Sequence, residues 1–491
     1  MPANLNDLYT ILPVTTIVVW ACVLLLVDLF FLQHRKGVTA LLAAAGLAVA
    51  LGLSIALARN QIVGFSGMAV LDGYAIFFNA LFCVTGLLAV MLAYDYLRRM
   101  NIERGEYYVL ILFSVAGMML MSQAADLIVV FLALELLSIP LYVLAAFAYP
   151  RVESEESGVK YFLLGAFAAG FFVYGTALVF GSTGTTGLAG IVASVGSGAA
   201  NLPLLLAGSA LILVGLGFKV AVVPFHMWTP DVYQGAPTAV TAFMSAGAKA
   251  AGFAALLRVF VIAFPSLSAN LTPVLWAISA ATMIAGNLIA IPQTNIKRML
   301  AYSSIAQAGY VLMGFVPYGQ PDVVKQSISA ALFFLFAYTI TSFGAWAVVI
   351  ALERAEGNPS TGSGQRGLEI ADYAGLGRRY PALAAAMTVF MLSLTGVPPT
   401  LGFVGKFYLF SAVVQGGFYW LAVIGVLTSL ISAYYYLRVV VTMYMREGQP
   451  EVVRETWLNL TWGITSVLTV LLALAPQALI NWASQAVLRL F

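Results

Sequence analysis

The chain is poor in the residues on which disulfide-bonded, metal-binding and soluble proteins depend. Only two cysteines, Cys22 and Cys83, occur among 491 residues, and both lie inside apolar runs. That excludes a disulfide framework and a cluster of metal-binding thiolates. Charge is equally scarce: 9% of residues are Asp, Glu, Lys or Arg, against about 25% in an average soluble domain. No Gly-rich dinucleotide fingerprint sits between a strand and a helix, no thiolate set suits an iron–sulfur cluster, and no haem-binding motif is present. Redox chemistry therefore has no site in this chain. The uncharged segment 181–203, GSTGTTGLAGIVASVGSGAANLP, lacks the Gly-Lys-Ser/Thr ending of a phosphate-cradling loop. The N-terminus carries no Lys or Arg before a run of about 20 apolar residues that reaches Leu32. Such a run is too long and wrongly flanked for a cleaved signal peptide, and reads as a true membrane span.

What the chain has in abundance is apolar length. Hydrophobic residues make up 62% of it, which places it among polytopic, all-α membrane proteins. Apolar runs bounded by Gly, Pro or charge predict about fourteen transmembrane helices. They are spans 1 to 14, near residues 10–32, 38–58, 73–96, 107–122, 127–149, 160–181, 204–224, 237–263, 273–292, 299–316, 325–352, 381–412, 418–445 and 457–488. The segment GNPSTGSGQRG (357–367) reads as a flexible connection between spans 11 and 12.

The cations test this count. With fourteen spans, the loops after odd-numbered spans and their helix ends hold fifteen of the 23 Lys and Arg: Arg35, Lys36, Arg98, Arg99, Arg104, Arg151, Lys160, Lys297, Arg298, Arg354, Arg366, Arg378, Arg379, Arg446 and Arg454. The opposite side holds Arg59, Lys325 and Arg489. Under the positive-inside rule, both termini then face away from the cytoplasm. Removing one span would move every later basic loop to the wrong side.

The remaining cations, Lys219, Lys249, Arg258, Lys406 and Arg438, fall within spans. A charged group at the centre of a membrane helix costs roughly 2.5–3.5 kcal/mol on insertion scales, so buried charges mark sites of ion or proton handling. Glu135, in span 5, needs a partner, and Lys219 in span 7 is the natural one. The pair reads either as a proton-affinity switch or as a structural ion pair. Pro224 predicts a broken helix after Lys219. His226 is either a proton relay to that lysine, on the same face if the helix persists, or a helix-end imidazole bonded to a loop carbonyl. Lys249 stands among Ala, Gly and Ser, which permit close helix approach and leave room for water. Lys406 follows a second expected break, GVPPTLGFVGKF. Spans 7 and 12 thus share a design, and their odd offset suggests two inverted units around a midplane path. Arg258 is expected to snorkel to the interface. Asp28 and Asp95 lie near span ends, and Arg438 either lines an exit path or pairs with a carboxylate.

Four segments carry a family resemblance: RGEYYVLILFS (104–114), LELLSIPLYVLAAF (134–147), GFKVAVVPFHMWTPDVYQGAPTAVTAFMSAGAKAAGF (217–253) and GVPPTLGFVGKFYLF (396–410). They resemble the antiporter-like subunits of respiratory complex I, most closely the subunit N branch. With the span pattern, the resemblance covers nearly the whole chain. A lysine at position 406 argues against subunit M, and the lack of a long lateral helix after span 14 argues against subunit L. The resemblance implies three N-terminal helices (1–106), two inverted five-helix repeats (107–263 and 273–445) and a last helix (457–488). It implies a proton-translocating subunit of NADH-quinone oxidoreductase in the bacterial inner membrane, with Glu135, Lys219, Lys249 and Lys406 as the relay. NAD, FMN, iron–sulfur clusters and quinone would belong to partner subunits, both membrane and peripheral. Nothing points to nucleic acid or to a resident metal. Two alternatives stand beside this reading: a subunit of a multi-subunit cation/proton antiporter, and a non-transporting membrane anchor.

Overall fold

A computed structural model of the chain describes residues 5–32, 35–58, 61–354 and 367–488. Arg59, Arg366, Arg489 and all but the last residue of segment 357–367 lie outside these. The described residues are almost wholly helical, and thirteen of their helices are long and apolar enough to cross a membrane.

The first helices are α1 (Leu5–Phe31), α2 (Lys36–Ala56) and α3 (Gly73–Arg99). A short hairpin of β1 (Ile62–Gly64) and β2 (Ala69–Leu71) joins α2 to α3, with Val63 opposite Val70. Next come α4 (Glu106–Gln123), α5 (Leu127–Ala145) and α6 (Val152–Thr183). The segment after α6 holds a helix the sequence did not announce, α7 (Leu188–Gly196). Span 7 is α8 (Leu202–Val220), which stops short of Pro224 because Ala221 takes a left-handed conformation at φ +60°; the chain resumes as α9 (Trp228–Gly235). Span 8 is α10 (Thr238–Phe243), a π-helical turn over Met244–Ala248, and α11 (Lys249–Ala263).

The second half runs through α12 (Ser268–Ala290), α13 (Ile296–Phe315) and α14 (Pro321–Leu352). A single turn, α15 (Leu376–Arg379), precedes span 12, which is broken as expected into α16 (Pro381–Thr395) and α17 (Leu401–Gln415). The chain closes with α18 (Tyr419–Met445), α19 (Thr456–Leu474) and α20 (Gln477–Leu488). Span 14 is therefore two helices rather than one, because Pro476 lacks the N–H that a continuous helix needs.

Burial follows position in the bundle. Helices α13 and α14 are almost entirely enclosed, as central helices must be. By contrast, α1, α6, α18 and α19 expose large apolar side chains such as Phe31, Phe167, Leu430 and Leu471, the surface that lipid requires.

The basic ends share one side of the molecule. Arg99 donates to Glu455 at 2.6 Å and to the Ile350 carbonyl at 2.8 Å, joining the ends of α3 and α14 to the α18–α19 connection. Lys160 and Arg298 both reach Asp231, each at 2.8 Å, tying α6 and α13 to α9. The Thr238 N–H donates to Tyr96 OH at 3.1 Å, which links these two groups. At the opposite face, bridges Ala69–Ala124 and Asp126–Gly187 gather the loops that follow spans 2, 4 and 6. The odd–even division of the cations is thus matched by contact.

Three charged side chains differ from or resolve the expectation. Arg258 does not snorkel: it is 2% exposed, makes two bonds to Asp72 at 2.8 and 3.0 Å, and lies over the Tyr74 ring. Asp72 supplies that partner because it caps α3, accepting from Ala75 N. Asp28 is buried and bonded to Lys36 and Thr39. Arg438 pairs with no carboxylate among the described residues; it donates to the Ile291 and Gln293 carbonyls at the end of α12, where a cation suits the helix dipole.

Two outcomes follow. Arg258→Ala leaves Asp72 charged and buried, and should destabilise the folded chain by about 3–5 kcal/mol, while Asp72→Asn combined with Arg258→Met should lose less than the two single changes together; thermal unfolding in detergent measures both. Burial raises the Asp231 carboxyl's proton affinity, but the hydrogen bonds from Lys160 and Arg298 outweigh it and hold its pKa below the ordinary value. The bridge's contribution is therefore full above pH about 4 and lost only as pH falls through the lowered folded value. A carboxyl infrared titration of Asp231→Asn against the parent should place the Asp231 transition below that of ordinary carboxylates.

Candidate functional site

A row of buried lysines

The site is built by helices that end early. Asn201 caps the start of α8 by accepting from Leu204 N, and α8 stops one residue after Lys219. Lys219 thus sits in a last turn, where free carbonyls and the dipole favour a cation. Its amine, 2% exposed, donates to Ser138 Oγ at 2.8 Å and to Tyr161 OH at 3.1 Å. Glu135 and Ser138 stand three residues apart on α5, so they share a face. Glu135 is half-buried and near enough to Lys219 for their charges to interact, though no ion pair within 4.0 Å joins them. The two instead line one small cavity with Ser138 and Tyr142, of about 10 Å³, near the minimum that holds one water.

His226 lies within the break between α8 and α9, so it does not share a helical face with Lys219. Its ring is placed against the Pro224 backbone, and its Nδ1 is buried without a hydrogen-bond partner.

Lys249 opens α11, directly after the π-helical turn. Such turns frequently occur at functional sites. Its amine donates to the carbonyl and the hydroxyl of Ser304 on α13, at 2.8 and 2.7 Å. A Cβ at Gly252 would stand 3.3 Å from Lys219 Cγ, so the stem of Lys219 passes the helix that carries Lys249.

Lys406 shows most directly how a broken helix makes a cation site. The chain turns out of α16 at Gly396, φ +92°, whose N–H takes the Leu392 and Ser393 carbonyls. The next two carbonyls, Leu394 and Thr395, are left for the Lys406 amine at 3.0 and 2.9 Å, and Ser429 Oγ accepts from it at 2.8 Å. The Tyr310 ring lies 4.4 Å beneath. A cation over an aromatic face gains further electrostatic stabilisation.

Aromatic and polar side chains lie between the three amines. Tyr161, which receives Lys219, stacks on Trp228 with centroids 4.5 Å apart; Trp228 meets the edge of Tyr233; and Tyr233 lies 5.8 Å from the Lys249 amine. On the other side of Lys249, Gln307 stands one turn beyond Ser304 on α13. Its amide donates to the same Leu394 carbonyl that accepts from Lys406, at 2.9 Å, and to Tyr436 OH at 3.2 Å. Ser303 also bonds Tyr436.

Sequence reasoning found the lysines but not their acceptors. Ser138, at i+3 from Glu135, was legible as a polar residue on the charged face. Tyr161, Trp228 and Tyr233 were not, because aromatic residues in apolar spans ordinarily serve packing. The π-helical turn left no mark in residue type.

With this geometry described, known proteins give its relatives. Residues 124–432 match the family model described as NADH:quinone oxidoreductase/Mrp antiporter, TM. The chain is 47% identical over 476 residues to NADH-quinone oxidoreductase subunit N of Chloroflexus aggregans (strain MD-66 / DSM 9485), covering 96% of this chain and 95% of that protein. It is 47% identical over 491 residues to the protein of the same name from Trichlorobacter lovleyi (strain ATCC BAA-1151 / DSM 17278 / SZ), covering 99% and 97%. A chain in the structure of respiratory complex I from Thermus thermophilus with bound Aureothin superimposes with a TM-score of 0.80 at 34% identity, over 96% of this chain and 98% of that one. A chain of the Mrp complex from Dietzia sp. DQ12-45-1b shares the fold, with a TM-score of 0.85 at 22% identity over 99% and 98%. The chain is thus a multi-pass membrane protein of the NADH:quinone oxidoreductase/Mrp antiporter family, and its likeness runs to subunit N of that family.

Proposed function

We propose that the chain is a proton-translocating membrane subunit of an NADH:quinone oxidoreductase. The observation that supports this most is the row itself: three lysine amines buried on α8, α11 and α17, each satisfied by hydroxyls, carbonyls or aromatic faces rather than by carboxylates. A carboxylate partner would fix an amine in its charged form, whereas neutral acceptors leave it free to gain and lose a proton. The 47% identical relatives favour the oxidoreductase over a sodium-exchanging assembly.

On this reading, movement of Glu135 toward or away from Lys219 sets the direction of transfer. At an effective dielectric near 20, moving such a pair from about 4 Å to about 8 Å changes its interaction by roughly 2 kcal/mol. That is enough to bias a proton transfer without a large helix displacement. Ser138 holds the amine when the carboxylate is away. The proton passes from Lys219 past the aromatic contacts to Lys249, then by Ser304 and Gln307 to Lys406, and leaves on the side opposite the basic loops. His226, in the break, serves as the first acceptor from the cytoplasmic side.

Placing the basic ends in the cytoplasm puts both termini on the other side, in a bacterial inner membrane. Helices α4–α11 and α12–α18 make up the two inverted units, 107–263 and 273–445, each containing one interrupted helix, α8–α9 in the first and α16–α17 in the second. Electron transfer through NAD, FMN, iron–sulfur clusters and quinone takes place in partner subunits, to which this chain supplies no redox group.

Lys249→Ala in the intact complex should leave assembly and electron transfer in place and abolish this chain's share of proton movement, measured as protons per electron in reconstituted vesicles. Unchanged stoichiometry would support a mere anchor, and sodium-dependent exchange by the parent would support the antiporter. Ser138→Ala should lower pumping while leaving Lys249-dependent steps intact, since only the Lys219 amine loses an acceptor.

A further inference from the structure

One buried carboxylate takes no part in the row above. Glu353 follows the last residue of α14, is 2% exposed, and its Oε2 has no hydrogen-bond partner. Its Oε1 accepts from Tyr96 OH at 3.3 Å, and Tyr96 OH accepts in turn from Thr238 N, at the start of the helix that leads to Lys249. Arg99 and Arg151 lie close enough to act on the Tyr96 hydroxyl, and Tyr373, also without a partner for its hydroxyl, lies on the other side.

A hydrophilic opening lies near this group. A cavity of about 810 Å³ on the side of the basic loops is lined by Arg151, Glu156, Lys160, Asp231, Glu369 and Asp372, among others. Asp372 of that lining and Glu353 both lie close enough to Tyr373 to act on its hydroxyl, so Tyr373 stands between the cavity wall and the carboxylate. Ahead of Glu353, toward Lys249, three more buried hydroxyls have no partner: Thr238 Oγ1, Thr229 Oγ1 and Tyr233 OH. Tyr233 is the residue whose ring faces the Lys249 amine, and its hydroxyl lies beside Ser304, which itself accepts from that amine. Lys297, two turns before Ser304 on the same face of α13, is also buried and donates to the Ala236 carbonyl at 2.7 Å.

Buried polar atoms are nearly always bonded, to protein or to water. The unpartnered oxygens of Glu353, Thr238 and Thr229, on segments that adjoin the Tyr96 hydroxyl and Tyr233, therefore call for bound water. We infer that Glu353 is the proton-collecting group of a second entry, one that reaches Lys249 directly from the basic-loop side without passing Lys219. The step moves only a proton. An O–H bond forms on Glu353 as a hydronium ion in the cavity loses a proton and becomes water; that bond breaks as the proton passes to the next water, restoring the carboxylate; and that water gives the proton up as an N–H bond forms on the neutral Lys249 amine. Tyr96 positions the carboxylate, and Lys297 stands beside the path as its fixed or transient positive charge.

The inference rests on the proposed proton-translocating role, and the test separates the two. In the intact complex reconstituted in vesicles, Glu353→Gln, Glu353→Asp and Lys249→Ala are compared by protons per electron and by the rate of proton uptake from the basic-loop side. Glu353→Gln should slow this chain's uptake as severely as Lys249→Ala, with assembly and electron transfer retained, and Glu353→Asp should restore part of it. Infrared difference spectra during turnover should show a carboxyl band that disappears in Glu353→Gln. If Lys249→Ala abolishes this share of uptake while Glu353→Gln leaves rate and spectrum unchanged, the second entry is wrong and the row stands. If Lys249→Ala also changes nothing, the underlying reading is wrong. Loss of assembly in Glu353→Gln together with no carboxyl band in the parent would assign Glu353 a structural role and overturn the inference.

Discussion

The structure depends on keeping ammonium groups far from water without carboxylates to neutralise them. An unpaired charge in a low-dielectric interior is costly, and the chain meets that cost with oriented neutral dipoles. Lys406 is the clearest case. Breaking a helix at Gly396 exposes the Leu394 and Thr395 carbonyls, and Ser429 completes the set. Lys219 uses a hydroxyl pair and Lys249 both oxygens of one serine. Structural cations in the same bundle are treated differently: Arg258 is clamped by the two oxygens of Asp72. The contrast separates a cation that holds helices together from the cations proposed above to exchange a proton.

The bundle's design serves that constraint. Interrupted helices supply carbonyls at membrane depth, where they are tolerated only inside protein or beside water. The π-helical turn before Lys249 does related work by shifting the register of α10 against α11 at the point where the amine must meet α13. The enclosed helices α13 and α14 form the wall that the row crosses, with Ser304, Gln307 and Ser303 on one helix serving two lysines. On the proposed function, packing and conduction therefore draw on the same residues. A substitution on α13 affects both, and the two effects have to be separated by measuring assembly alongside transport.

Much of this was legible in the sequence because it rests on residue type in an apolar context. Four charged residues in long apolar runs, two Pro-Gly interruptions and the alternation of basic loops were each visible, and the contacts of Arg99, Lys160 and Arg298 agree with that alternation. What was hidden depends on where helices meet. Arg258 was read as snorkelling because its partner, Asp72, lies 186 residues away on another helix. Lys297 was read as a loop cation because it stands at a helix start, yet α13 begins inside the bundle and buries it. Glu353 drew no notice beside Arg354, since a charged pair at the end of an apolar run ordinarily marks an interface. The division of span 14 at Pro476 was a local signal left unused.

The central claim is that the lysines are joined by water and hydroxyls rather than by dry packing. A map of the intact complex at a resolution that reveals ordered solvent tests this most directly. The account predicts water bonded to the cavity shared by Glu135 and Lys219, to the free hydroxyl of Tyr233 beside Lys249, and between Ser304 and the Gln307 amide on the way to Lys406. Apolar side chains closing those gaps, with no solvent between Lys219, Lys249 and Lys406, would contradict it.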